Sequence, residues 1–352
     1  MVGMKHRFER KPRGNRPIDR MRDGAGVVSI APENGNIVGL KSIGDRLYML
    51  AQRGVVSCEM ADRIDPDRTN PDIPRVVQRI DISYGVEEAF IQKTLGAAFQ
   101  LLNHTYLPDN VDEDEGRSHA LDAAVALASI MDMTAEMQAN QDETRIKLQA
   151  GDHTLGHLTR TNNLKGKIDG CISNLRQVEI AIQKLTLMFH PKAVHNDPWN
   201  KAFRATVIAL YDESSEEAKY IEEVLTFLRA VVAHRDAMIH PKPAHKIVVH
   251  DYVLRADGVI MAPSIEIFHP EFALQRQDAA SFLREQAENM AGVFEATLAC
   301  LCNINAKSFA DMFDCRVVAL PEGETQHGSR VIWQSTVKPE HAQKLPLSKD
   351  VG

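Results

Sequence analysis

Two side chains with complementary chemistry stand five residues apart in the run Arg235-Asp236-Ala237-Met238-Ile239-His240-Pro241. A guanidinium can hold the negative charge that develops on a phosphodiester, and an imidazole can move a proton near neutral pH. The pair is therefore suited to cleaving a phosphodiester without a metal. With 14 histidines and 41 Lys and Arg in 352 residues, an Arg-x4-His spacing alone carries little weight. The elements around it must decide.

The segment leading into the motif repeats apolar residues at Ile221, Leu225, Leu228 and Val232, and the same rhythm continues through Arg235 to Ile239. Spacings of three and four are the signature of one helical face, so Arg235 falls in line with a packing stripe. A charge there costs energy unless it is paired or faces a cleft or a second subunit. Two alternatives stay open: a buried arginine paired with Glu222 or Asp236, or an accessible one kept for binding. Pro241 disfavours helical geometry at His240, so the helix should end near Ile239 with the histidine at its terminus. Positions i and i+5 of an ideal helix lie about 140° apart, and convergence of the pair requires a terminal distortion or a second copy of the chain. Ser214 and Glu217 have capping-box spacing at the start of this helix.

The spacing predicts further helices over 116–148, 164–189, 202–211 and 278–303, and one over 80–106 ended by Pro108. Residues 39–60 read as one short helix, and Asp65 to Pro74 as a linker. The stretches 246–254 and 259–268 flank Ala256-Asp257-Gly258 and read as a β-hairpin, with short strands over 315–320 and 330–334. Four regions follow: a disordered basic arm over 1–36, an N-terminal helical region over 37–160, a helical bundle with the hairpin 246–268 over 161–310, and short strands with a polar tail over 311–352. The fold expected is mainly α, a helical bundle with a small β-hairpin insertion and an N-terminal helical hairpin.

A helix ending in Arg, a polar residue, three mostly apolar residues, His and Pro resembles the signature of the HEPN superfamily. The resemblance covers roughly residues 161–305 in helix order and is specific over Arg235 to Pro241. It implies a bundle of four to five helices and, for many members, metal-independent RNA cleavage in toxin–antitoxin or phage-defence systems. By that resemblance His240 would act as general base on a 2′-hydroxyl or as acid to the leaving 5′-oxygen. Arg235 would hold the phosphate, Asp236 would orient a neighbouring side chain, and His234 is a weaker candidate for the same cleft. It also implies RNA as a partner, a homodimer in which two motifs meet, and an antitoxin or other regulatory protein. A non-catalytic HEPN-like module binding nucleotide, RNA or a partner protein is the alternative.

Composition bounds these readings. Residues 1–22 hold eight Lys and Arg against Glu9 and Asp19, leaving −13 for the rest of a chain whose net charge is −7. An acidic body argues against a broad electrostatic footprint on nucleic acid but permits a local basic cleft. No apolar run has the roughly 18 residues of a membrane span, and the basic start lacks the apolar region of a secretory signal. Cys58, Cys171, Cys300, Cys302 and Cys315 form no CxxC pair, which fits a reduced, cytoplasmic setting. His234, His240, His245 and His250 follow at intervals that present no single face, and Asp152-His153 with His157 lack the glutamate of a metalloprotease motif. No metal and no cofactor are expected, since phosphate-cradling glycine loops and nucleophile elbows are also missing.

Overall fold

A computed structural model describes residues 16–24, 29–149, 160–190, 199–308 and 310–342. Most of the expected arm (1–15 and 25–28), the break at 150–159 with His153 and His157, the turn at 191–198 and the tail beyond 342 lie outside these residues. The chain begins with a short helix α1 (Pro17–Asp23), followed by an antiparallel four-stranded sheet. Its strands β1 (Ile37–Ile43), β2 (Arg46–Ala51), β3 (Val55–Met60) and β4 (Val76–Ile82) pair in sequence order, with α2 (Ala61–Ile64) after β3. The single helix expected over 39–60 is thus replaced by three strands. The reason is burial on both faces. Tyr48, Leu50 and Val55 join the main core, whereas Met49, Val56 and Cys58 pack on the opposite face with Ile30, Leu47 and Val76. A strand covered on both sides reads as an unbroken apolar run, without the alternation that announces a strand.

The basic arm and the Asp65 linker also depart from expectation where they are described. Arg22 of α1 is buried and donates to Asp65 Oδ2 at 3.1 Å, Asp62 Oδ1 at 3.3 Å and the Asn70 carbonyl at 2.9 Å. The Thr69 and Asn70 backbone N–H groups hold the Asp65 carboxyl down at about 2, so it stays charged for Arg22. Paired charges here do the ordering that apolar contacts do elsewhere.

The helix expected over 80–106 is present only in its second half. Residues 76–82 are strand, and α3 (Ala89–Ile91), a π-helical turn (Gln92–Gly96) and α4 (Ala97–Leu101) follow. The long helix α5 (Glu113–Gln149) therefore has no long antiparallel mate before it and packs instead on α6 (Leu164–Phe189). The whole predicted stripe of α6, from Ile168 through Leu175 and Ile182 to Phe189, is buried. Next come α7 (Trp199–Tyr211) and α8 (Glu216–Ile239), with α8 packed against α6 and α7. The cap of α8 lies one residue from the expected one. Ser215 Oγ accepts from the Ala218 N–H at 3.1 Å, while Ser214 donates to the Asp212 carboxylate.

After α8 the chain forms β5 (Lys246–His250), β6 (Val253–Leu254), β7 (Ile260–Met261), β8 (Ser264–Phe268) and β9 (Leu274–Asp278). The expected hairpin is present, but β9 extends it into a three-stranded sheet in the order β5-β8-β9, and β6-β7 forms its tip. Asp278 ends β9 and caps α9 (Ala279–Ile304) by accepting from Ser281 N–H at 2.7 Å. The strands β10 (Phe313–Ala319) and β11 (Val331–Val337) pair antiparallel, and α10 (Pro339–Ala342) follows. Trp333 of β11 stacks on Tyr106 and donates its indole N–H to the Leu101 carbonyl at 2.9 Å. One buried cluster runs from Ile43 to Trp333. With four antiparallel sheets beside the helices, the fold is mixed α and β, which corrects the mainly α expectation.

Candidate functional site

The last turn of α8 carries the motif. Helix α8 ends at Ile239, and His240 leaves it at φ −121°, ψ 61°, as the following proline demands. The His240 backbone N–H still bonds the Asp236 carbonyl at 2.8 Å, while its side chain lies in an exposed position. A tight turn follows, closed by Lys242 and His245 exchanging backbone hydrogen bonds of 2.7 and 2.9 Å. That turn carries the chain from the end of α8 into β5, which packs alongside it.

Arg235 lies at the edge of the α6–α8 packing with its side chain 37% exposed. Its Nη1 donates to Asp236 Oδ1 at 3.1 Å. Of the two candidate carboxylates, Asp236 is the partner, since Glu222 is engaged by Arg204. A second arginine that the sequence pattern did not single out, Arg176 of α6, lies within electrostatic reach. Burial and then the Arg235 charge push the Arg176 guanidinium below its ordinary value, and Asp236 opposes them. Arg176 forms an ion pair with the buried Glu179 one turn on. Among the described residues, no hydrogen bond or ion pair joins Arg235 to His240. The fold thus brings Arg235, Asp236 and Arg176 together, and among the described residues no hydrogen bond or ion pair ties His240 to them.

His234 belongs to a different neighbourhood. Its Nε2 lies 2.9 Å from the Phe272 carbonyl in the turn between β8 and β9. In the same turn His269 packs against His245 and Phe272, with ring centroids 4.8 and 5.5 Å apart. His234 therefore anchors this turn to α8. Burial lowers its pKa, against the opposing hydrogen bond to Phe272, and burial lowers those of His119 and His190 too. A histidine held neutral in the fold protonates more readily when unfolded. The stability it contributes is complete above the ordinary histidine value of 6.5 and drains away as pH falls below it. The urea midpoint should be flat above about pH 6.5 and decline below it. His234→Gln should make that decline shallower, and an unchanged slope would remove His234 as a contributor.

On the other side of α8's final turn lies an open cleft of about 520 Å³. Leu164 at the start of α6, Met238 and Pro241 from the motif, and Ile247 and Val249 of β5 form its apolar wall. Arg160, Asn163 and the Lys165–Asp169 ion pair, closed at 2.6 Å, supply a polar rim. Asp251, also at the rim, accepts the Thr161 and Tyr252 backbone N–H groups. Of these residues Met238 and Pro241 belong to the motif, none of Arg235, Asp236, His234 and His240 lines the cleft, and the rest is assembled by tertiary packing. Among the described residues, no group of three or more His, Cys, Asp or Glu is placed to hold a metal ion, and no helix is long and apolar enough to cross a membrane.

No protein-family model matches this chain, and no curated protein or solved structure matches it.

Proposed function

We propose that the protein is a metal-independent RNA endonuclease of the HEPN type, acting through Arg235 and His240. The observation that carries this reading is an exposed imidazole released from the end of α8, five residues beyond an accessible guanidinium and next in sequence to Pro241, which lines a cleft. Arg235 exchanges its contact with Asp236 for a phosphate oxygen, a ligand that suits the planar fork of its donors. The RNA 2′-oxygen attacks phosphorus as its proton passes to one imidazole. The bond from phosphorus to the 5′-oxygen breaks, and a second imidazole supplies that oxygen with a proton. Within one chain His234 is tied to Phe272 and is not placed to serve as the second imidazole. A homodimer in which two motifs meet supplies the second.

The test is direct. Purified full-length protein incubated with single-stranded RNA in EDTA should give fragments ending in 2′,3′-cyclic phosphate and 5′-hydroxyl. Intact RNA, or fragments bearing 3′-hydroxyls, would defeat the proposal. A second reading draws on the Arg235–Asp236 ion pair beside Arg176: a module that binds RNA and does not cut it. Retention of intact RNA by the protein would favour that reading.

A further inference from the structure

We propose that the cleft between the start of α6, the end of α8 and β5 seats one nucleotide of the RNA strand, with its base on the apolar wall and its phosphate toward Arg160. The choice of ligand rests on the nuclease reading, because the cleft adjoins His240 through Pro241 and Met238. The cleft's own chemistry points the same way. Its volume of about 520 Å³ falls within the range of small-molecule sites, and its lining divides into an apolar side and a polar rim. Leu164, Met238, Ile247 and Val249 offer a surface for a flat apolar ring, with the polarisable Met238 thioether adaptable to different bases.

The rim carries Arg160 and Lys165 against Asp169 and Asp251, with no net charge, so the pairing of these groups decides what it can take. Both carboxylates there are already engaged, Asp169 by Lys165 and Asp251 by the Thr161 and Tyr252 N–H groups. Among the described residues, no carboxylate pairs with Arg160, which is exposed at the rim. One guanidinium is therefore left to meet a phosphate. Asn163, at the same rim, stands in the left-handed region at φ 51° and its side chain does not cap α6. Its amide lies over Gly166 in the first turn of α6 and, among the described residues, makes no hydrogen bond, so its donor and acceptor can meet a base edge. A ligand with an apolar ring, a hydrogen-bonding edge and one phosphate satisfies all three regions at once.

The experiment uses the full chain carrying His240→Ala, so that binding is read without turnover. Adenosine 5′-monophosphate, adenosine and inorganic phosphate are titrated separately by calorimetry. The monophosphate should bind at least about tenfold more tightly than either fragment. Arg160→Ala, at an exposed position, should weaken monophosphate binding by about tenfold and leave adenosine unchanged. Met238→Trp should fill the cleft and abolish binding of both. Equal affinities for monophosphate and inorganic phosphate, or undiminished binding in both variants, would overturn the proposal. RNA cleavage by the wild type is measured alongside. Cleavage without nucleotide binding removes the cleft and leaves the nuclease, whereas nucleotide binding without cleavage removes the nuclease and leaves the cleft.

Discussion

His240→Ala should lower the rate of RNA cleavage by roughly 10²- to 10⁴-fold, the usual contribution of a positioned general acid or base. The side chain is exposed, so its loss should leave thermal unfolding unchanged and separate a chemical effect from a structural one. Arg235→Ala should cost about 10²- to 10³-fold, as expected for removing one donor to a developing negative charge. Combining the two should cost far less than the product of the single losses, because the residues serve one step. Arg235→Lys should recover little, since a point charge does not reproduce a planar fork. Mixing wild type with His240→Ala protein then tests the dimer. If base and acid come from the two copies, a mixed dimer lacks one of them, and activity falls with the square of the wild-type fraction. A linear fall would mean that each chain works alone, and cleavage that survives His240→Ala would remove the imidazole from the mechanism.

How far such a site can be read beforehand depends on which forces build it. The boundary of α8 at Ile239 follows from a local clash at Pro241, and the stripes of α6 and α9 follow from their period, so both were legible. The four-stranded sheet was not. Its central strands are buried on both faces, and the run Leu47 to Ala51 has no alternation to distinguish it from a helix turned inward. Ile82, Val86 and Phe90 recur at fours by coincidence, across a strand end, a turn and a short helix. Strand β9, Leu-Gln-Arg-Gln-Asp, is too polar to announce itself and exists because β8 pairs with it. At the site, the expected stripe through Val232, Arg235 and Ile239 is not the buried face, which runs through Leu228, Val231 and Ala237 and leaves Ile239 exposed, so Arg235 interrupts no packing there. Asp236 was one of two candidate partners, whereas its neighbour Arg176 and the diversion of His234 to Phe272 depend on packing that local sequence does not encode.

Gly96→Ala should destabilise the protein by about 3 kcal/mol, near the upper end for overpacking a close-packed interior. Gly96 closes the π-helical turn, the least anticipated local feature of the chain. A Cβ there would fall inside the van der Waals shell of the Gly328 carbonyl oxygen and 2.9 Å from its carbon. Both are backbone atoms, so no side-chain rotation relieves the clash. Gly328 cannot retreat easily, because it sits at φ +76° with the Val86 and Val38 side chains crowding the position a Cβ of its own would take. Replacing glycine by alanine in a helix ordinarily gains up to about 1 kcal/mol, and this case sets that gain against the clash. Gly292 in α9 is the control, since a Cβ there meets only the Lys93 Nζ at 3.9 Å. Gly292→Ala should move the urea midpoint up or leave it in place, whereas Gly96→Ala should move it sharply down. If the two variants unfold alike, the approach of the π turn to the residue 328 turn carries no weight in joining β10 and β11 to the helical core. If they diverge as expected, the close approach to the residue 328 turn requires glycine at position 96 and contributes to joining β10 and β11 to the helices.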